Sequence, residues 1–394
     1  MLTPCLVYVQ MISFCSEAKM ASFGDLPKTV VQDIMSRLPG DSLVELKHVN
    51  SSWYFYLSAL INDKEFINKH FHHNKDKSSV SLVIDQSPPR AKYNNKIRFS
   101  LLTLPNNDGV KKGERCQAKE LNLPPLADMY SPWQVRCHCD GILCLLKNPL
   151  DMDVMFCNPL LKEFKRLPES ENARTNTRYS AIGFGYDSKA KDYKLVRVID
   201  FPNTLAEIYT LGTNTWRNIS MPEDLSKTTS SDALYLKGVC YWEVGDKNNN
   251  HMILSFDTCD EVFHMIPLPN QSNQSTFRTR SRSLALWKDS VALFNHGRLM
   301  HSSSDAFEVC VMADHCDIMK GGTPWIKFVV VTLHLENLKP LTFWNREEVL
   351  VIDKGGWICS YNIRTKRLRH TGFRGSVNNP VCFYEKSLVP LRRR

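Results

Sequence analysis

The chain has 394 residues, 43% of them hydrophobic, with 50 Lys and Arg against 41 Asp and Glu for a formal charge of +9. That length exceeds what one core usually spans, and the apolar fraction excludes a chain too polar to fold. Thirteen cysteines, an odd number without a repeated C-x-x-C spacing, argue against a disulfide framework and for a reducing compartment, and no stretch reads as a transmembrane span.

Residues 1–19, MLTPCLVYVQMISFCSEAK, carry Pro4 and Gln10 and lack a basic leader, so they do not read as a signal peptide. They are expected to form a disordered extension, with Met20-Ala21-Ser22 as the natural start of the folded protein. Residues 20–71 then show three short helical segments. Val30, Val31, Ile34, Met35 and Leu38 fall on one helix face, and Pro39-Gly40 stops it. Ser42-Leu43-Val44-Glu45 has the pattern of a capping box that would open a second helix, with Leu43, Leu46 and Val49 on its inner face. A third opens at Asn50-Ser51-Ser52 and runs through Trp53, Phe55, Leu57, Leu60 and Ile61. So small a unit buries little surface and leaves apolar side chains available to a partner.

These positions resemble the F-box of plant F-box proteins: Leu26-Pro27, Arg37-Leu38-Pro39, Ser42-Leu43, Val49 and Ser52-Trp53 stand where that family has its LP, RLP, SL and V-x-x-S-W signatures. The resemblance implies docking onto a Skp1-type adaptor of a cullin-RING ubiquitin ligase, through Leu26, Pro27, Ile34, Leu38, Pro39, Leu43, Leu46, Val49 and Trp53. Asp41, Glu45 and Ser51 stand where the family usually has basic residues. About four extra residues separate Trp53 from Leu60-Ile61, close to one turn of ~3.6 residues, which lengthens the third helix without rotating its apolar face. The plain alternative is a helical cap.

From residue 78 to 391 the texture changes to short β-rich runs with many turns. A phrase of strand, polar turn and strand recurs around Asn158, Asn214, Asp257 and Asn362. The last interval spans two periods, with Trp325-Ile326-Lys327-Phe328 where a missing hairpin would place its second strand. A period of roughly 40–55 residues with four strands each is the signature of propeller blades. Residues 141–146, 193–198, 239–243 and 349–352 supply further strands, and 79–84 or 97–102 are expected to meet 381–391 to close the ring. The phrases Ile182-Gly183-Phe184-Gly185-Tyr186-Asp187, Lys191 to Arg197, Glu207-Ile208-Tyr209 and Thr215-Trp216-Arg217 resemble the F-box-associated domain of plant F-box proteins. Within that family the chain resembles the S-locus F-box group. The resemblance implies a small all-α F-box of three helices followed by an all-β, propeller-like (kelch-like) domain, and a receptor that presents a protein target, in the S-locus case a stylar ribonuclease (an S-RNase), for ubiquitination.

No catalytic constellation is legible. Gly183-Phe184-Gly185 lacks the third glycine and following helix of a nucleotide fingerprint and suits a strand-edge turn. Cys137-His138-Cys139 has no second ligand pair and reads as buried thiols in a sheet. The histidines are scattered, and no metal, cofactor or membrane is expected. Target contacts are expected on loops at one propeller rim: Glu169–Arg178, Phe201–Ala206, Gly245–His251, Asn270–Arg282 and His296–Asp305, with Arg174, Arg178, Asn203, Asn249, Arg278 and Arg298 as candidate side chains. Residues 364–394 hold nine Lys and Arg and one Glu. A second reading is therefore a basic propeller that binds RNA or a glycan, with a structural helical cap. The receptor reading leads us to expect a cytoplasmic protein, with the nucleus as the alternative.

Overall fold

The computed structural model describes residues 27–75, 81–85, 99–103, 117–121, 133–147, 153–173, 178–201, 205–222, 225–227, 231–246, 251–269, 277–299, 305–313, 325–332, 338–375 and 382–391. The chain divides into two compact units, residues 1–78 with 387–389 and residues 79–386 with 390–394.

The first unit has four described helices: α1 (Lys28–Ser36), α2 (Gly40–Leu46), α3 (Ser51–Ile61) and α4 (Lys64–Lys75). The expected capping box does not start α2. Pro39, in extended backbone with φ −57° and ψ 143°, occupies the position before the first turn, so the helix begins at Gly40 and takes Ser42 and Glu45 into its interior. Asp41 then lies in the first turn, where the helix dipole favours a negative charge. Because α2 ends at Leu46, Val49 falls past it and is exposed rather than inward-facing. α3 starts where the Asn50 signal places it, with Asn50 Oδ1 accepting the Trp53 N–H at 2.9 Å.

A fourth helix was not expected. Its start has a local cause, since Asp63 Oδ1 accepts the backbone N–H groups of Glu65 at 2.9 Å and Phe66 at 3.4 Å. Its role is to finish α1, whose last carbonyls have no partner within their own helix. Asn74 Nδ2 donates to the Ser36 carbonyl at 3.1 Å, and His70 Nε2 lies 2.9 Å from the Leu38 carbonyl. His73 Nδ1 is 2.9 Å from Ser36 Oγ.

The second unit is a six-bladed β-propeller. Blade I combines Ser81–Asp85, Phe99–Thr103 and Gln117–Glu120 with Cys382–Tyr384 from the far end of the chain. The closing register, Ser81 opposite Tyr384 and Val83 opposite Cys382, joins two of the segments expected to meet. Blade II is Gln134–Cys139, Ile142–Leu146, Val154–Asn158 and Glu163–Arg166. Blade III is Arg178–Asp187, Asp192–Phe201, Leu205–Thr210 and Thr215–Ile219. Blade IV pairs Val239–Asp246, His251–Asp257 and Val262–Pro267 with two short inner strands, Leu225–Lys227 and Leu234–Leu236. Between those two, Ser231–Asp232 crosses to pair in parallel with Ala181 and Ile182 of blade III. Blade V is Phe277–Trp287, Ser290–Leu299, Asp305–Met312 and Trp325–Thr332, and blade VI is Lys339–Phe343, Glu348–Ile352, Trp357–Asn362 and Leu368–Arg374.

The repeated turns have one chemistry. Asn158, Asp257 and Asn362 each accept, through Oδ1, the backbone N–H groups two and three residues on. Lys162, Glu261 and Lys366 follow at positive φ, just before or as the return strand starts. Asn214 stands at that second position, with φ 57°, so the blade III counterpart of Asn158 is Thr210, four residues earlier than the expected anchor. Blade V has no such tight turn between its outer strands, because residues 313–324 separate them, and that is why one period looked doubled. Trp325–Thr332 does pair with Asp305–Met312, as the missing hairpin required.

Blades adhere through side chains between their faces. Phe294 and Phe307 of blade V join Phe343 and Tyr361 of blade VI, and Trp344 and Ile352 of blade VI join Leu82 and Ile84 of blade I. Gly183 and Gly185 lie inside a blade III strand, not at a strand-edge turn. A Cβ on Gly183 would come within 2.4 Å of the Trp242 ring, and one on Gly185 within 2.4 Å of Tyr235. The glycines are there to let blade IV aromatics approach the backbone, and Trp242 Nε1 donates to the Ile182 carbonyl at 2.8 Å.

Candidate binding surfaces

The helical unit offers an apolar surface whose composition differs from the expected one. Leu26 lies outside the described residues. Pro27, Pro39 and Val49 are exposed, and Ile34 and Leu38 are half-buried. Leu43, Leu46 and Trp53, expected to dock a partner, are buried, with Leu43 at 0% exposure. The resemblance named them for docking, and their spacing along the helices puts them on the side that packs inward. The outward apolar side chains include Val30, Val49, Tyr54 and Phe55, the last 72% exposed. Tyr54 and Phe55 meet edge to face, with ring centroids 5.7 Å apart, and Lys47 Nζ lies 5.4 Å from the Tyr54 centroid. Sequence reading placed Phe55 on α3 without marking it as a surface. The signal was available, because aromatics at 53, 54, 55 and 56 cannot all face inward on one helix.

On the propeller, Arg174, Asn203 and Asn249 lie outside the described residues. Arg178 and Arg278 lie in strands of blades III and V with their side chains undescribed. Arg298 is described: its Nε donates to Asp305 Oδ1 at 3.3 Å. The same oxygen accepts from Arg280 Nη1 at 3.3 Å, so two guanidinium groups share one carboxylate that is 1% exposed. Neither Arg280 nor Asp305 had been singled out as a contact. A separate cavity of about 90 Å³ is lined by Asp153, Leu167, Pro168, Glu169, Ala173 and Trp216, on the connection from blade II to blade III. Arg197 stacks on Trp216 of that lining, 4.1 Å from the ring centroid, and pairs with buried Glu207.

The interior thiols are chemically quiet. Burial pushes the Cys139 and Cys240 thiols well above their ordinary range and Cys157 up to about 12, so none is a thiolate at neutral pH. Cys137 and Cys139 alternate with half-buried His138 along their strand, and burial holds His138 down to about 4. Among the described residues no group of three His, Cys, Asp or Glu side chains is placed to hold a metal. No described helix is long and apolar enough to cross a membrane.

The chain thus carries a helical unit with exposed apolar side chains and, after it in sequence, a six-bladed propeller with clustered cationic side chains. The family model of the F-box associated beta propeller domain matches residues 108–389, and the chain belongs to that family of plant F-box proteins. Its relatives carry the same name. An Arabidopsis thaliana chain named as an F-box protein, At3g17480, is 28% identical over 82% of this chain and 83% of its own length. The Arabidopsis thaliana F-box/kelch-repeat protein At3g17530 is 30% identical over 63% of this chain, and F-box/LRR-repeat/kelch-repeat protein At2g27520 is 28% identical over 62%. This chain spans less than two thirds of those last two, 62% and 61% of their lengths.

Proposed function

We propose that this protein is the substrate-receptor subunit of an SCF-type ubiquitin ligase, in which the helical unit docks a Skp1-type adaptor and the propeller holds a protein target for ubiquitination. The observation that carries this reading is the outward set Val30, Val49, Tyr54 and Phe55 on a helical unit whose own apolar stripe is already buried. Exposed aromatics on so small a unit are costly to leave in water and supply the anchors that protein interfaces use. Membership of the F-box associated family and the names of the relatives support it. In this role the chain contributes proximity: it raises the local concentration of target lysines near a ubiquitin donor held elsewhere in the complex.

The nature of the target follows from charge only in part. A stylar ribonuclease of the kind implied by the S-locus resemblance is usually basic, and residues 364–394 of this chain, nine Lys and Arg to one Glu, would repel it. The receptor reading therefore stands without the self-incompatibility role. The test is coexpression of the full chain with a Skp1-type adaptor and gel filtration of the product. A stoichiometric complex that survives 0.5 M salt is expected, because apolar docking is insensitive to ionic strength. Separate elution of the two proteins refutes the proposal.

A further inference from the structure

One end of blade V, beside blade VI, gathers positive charge around a buried carboxylate. Arg280 lies near the start of the first strand of blade V, Arg298 near the end of the second, and Asp305 opens the third, so all three meet at the same end of the blade. Arg280 and Arg298 are 46% and 41% exposed, yet each commits one nitrogen to Asp305 Oδ1 at 3.3 Å. Their remaining N–H groups meet no acceptor among the described residues. From blade VI, Lys339 enters the same neighbourhood, half-buried and without a carboxylate partner among the described residues. His296, half-buried with Nδ1 3.4 Å from Ser281 Oγ, lies close enough to feel the charges of Asp305, Arg280 and Lys339. Burial lowers its proton affinity first; the Asp305 carboxylate acts against that, and the charges of Arg280 and Lys339 lower it further. Among the described residues three cations thus stand against one carboxylate, and the imidazole, its proton affinity lowered, adds no positive charge at neutral pH.

We propose that Arg280, Arg298 and Lys339 form a seat for a phosphorylated side chain on the protein target, with Asp305 as the positioning residue that holds the two guanidinium groups side by side. Planar guanidinium groups with free parallel donors match the oxygens of a phosphate, and prior immobilisation by Asp305 lowers the entropy lost on binding. A half-buried lysine without a counter-charge among the described residues favours an anion at that place. A single phosphate is the better fit than nucleic acid. A polyphosphate backbone needs a run of cations along its track, whereas here the two arginines meet at one carboxylate that would repel a second phosphate.

This assignment rests on the reading of the propeller as the target-binding part, but it is tested without the adaptor, so each can fail alone. The full chain is titrated, by fluorescence anisotropy at 0.15 M salt, with a degenerate peptide pool carrying phosphoserine at its centre, with the same pool carrying Ser or Glu there, and with a single-stranded RNA oligonucleotide. The phosphoserine pool is expected to bind about tenfold or more tightly than the Ser pool, consistent with charge-assisted hydrogen bonds to a dianion. Arg298→Gln, Arg280→Gln and Lys339→Gln are each expected to remove most of that advantage. The two arginines are partly exposed and Lys339 half-buried, and far-UV circular dichroism verifies that every variant remains folded. Equal binding of the phosphoserine and Ser pools overturns the proposal. So does equal binding of the Glu pool, RNA binding tighter than the phosphopeptides, or a phosphoserine preference that survives in all three folded variants.

Discussion

Replacing Phe55 and replacing Leu43 should separate docking from folding, because the two side chains stand at opposite extremes of burial on the same small unit. Phe55 is 72% exposed and Leu43 is 0% exposed. Full burial of a Phe side chain is worth about 1.5–3 kcal/mol, so the small fraction of Phe55 already buried leaves Phe55→Asp costing folding about 0.5 kcal/mol. Against an adaptor the arithmetic reverses. Loss of the exposed part of the ring removes about 1–2 kcal/mol, and a carboxylate forced into an apolar contact adds about 1–2 kcal/mol more. Together they amount to about 2–4 kcal/mol, a 30- to 1,000-fold weakening. Leu43→Asp instead places a charge where no water reaches and should cost folding about 4 kcal/mol or more, enough to melt the helical unit.

The assay pairs calorimetric titration of a Skp1-type adaptor with helical circular dichroism on heating. Phe55→Asp is expected to keep the wild-type melt and lose the adaptor, whereas Leu43→Asp is expected to lose both. Adaptor affinity within threefold of wild type in a folded Phe55→Asp protein would refute the assignment of the outward aromatics. A folded Leu43→Asp protein that alone loses the adaptor would return the docking role to the periodic leucines.

Three further outcomes follow from the propeller. Gly183→Ala should destabilise it by about 1–3 kcal/mol, since the new methyl would sit 2.4 Å from the Trp242 ring; an unchanged urea midpoint would show that the ring moves aside freely. Arg197→Met alone should cost about 3–5 kcal/mol by leaving buried Glu207 without its cation, and adding Glu207→Leu should recover much of that loss; a double variant as unstable as the single one would contradict it. His138, held at about 4 in the fold against 6.5 when unfolded, binds more protons in the unfolded chain between those values. Its contribution to stability is complete above pH 6.5 and declines as the pH falls toward 4. His138→Leu should therefore flatten the fall in urea midpoint between pH 6.5 and 5, a window above that of the carboxylates, and an unaltered slope would remove His138 as its source.

Much of the propeller was legible because its turns are encoded locally. An Asn or Asp that accepts its own turn's N–H groups needs no distant partner, and Asn158, Asp257 and Asn362 announced three hairpins from composition alone. What was illegible depends on distant residues. The strand at Ser231–Asp232 exists only because the blade III edge lies beside it, and the glycines at 183 and 185 looked like turn residues until Trp242 and Tyr235 were seen to need the space. Helix α4 escaped notice because its sequence, KEFINKHFHHNK, is mostly polar; its reason for forming lies in the carbonyls of Ser36 and Leu38. The two binding surfaces were less legible, because exposure and partners are set by packing between distant segments. Of the side chains that the resemblance named for docking, Leu43 and Leu46 pack inward, and of the rim side chains named for target contact Arg298 is held by Asp305, a buried carboxylate that also holds Arg280.

The division of labour between the two surfaces follows from what each kind of contact does best. An apolar edge of the Val49, Tyr54 and Phe55 kind binds through buried area, gains little from charge, and suits a partner that is the same in every complex. A cluster such as Arg280, Arg298 and Lys339 contributes selectivity more than area: it discriminates an oxyanion from a hydroxyl through charge-assisted hydrogen bonds, and binding there weakens as salt rises. A receptor that must hold its ligase continuously and its target conditionally would use the first surface for the ligase and the second for the target. The salt dependence of the two interactions, flat for the adaptor and steep for a phosphopeptide on the same full-length chain, is the measurement on which that division stands or falls.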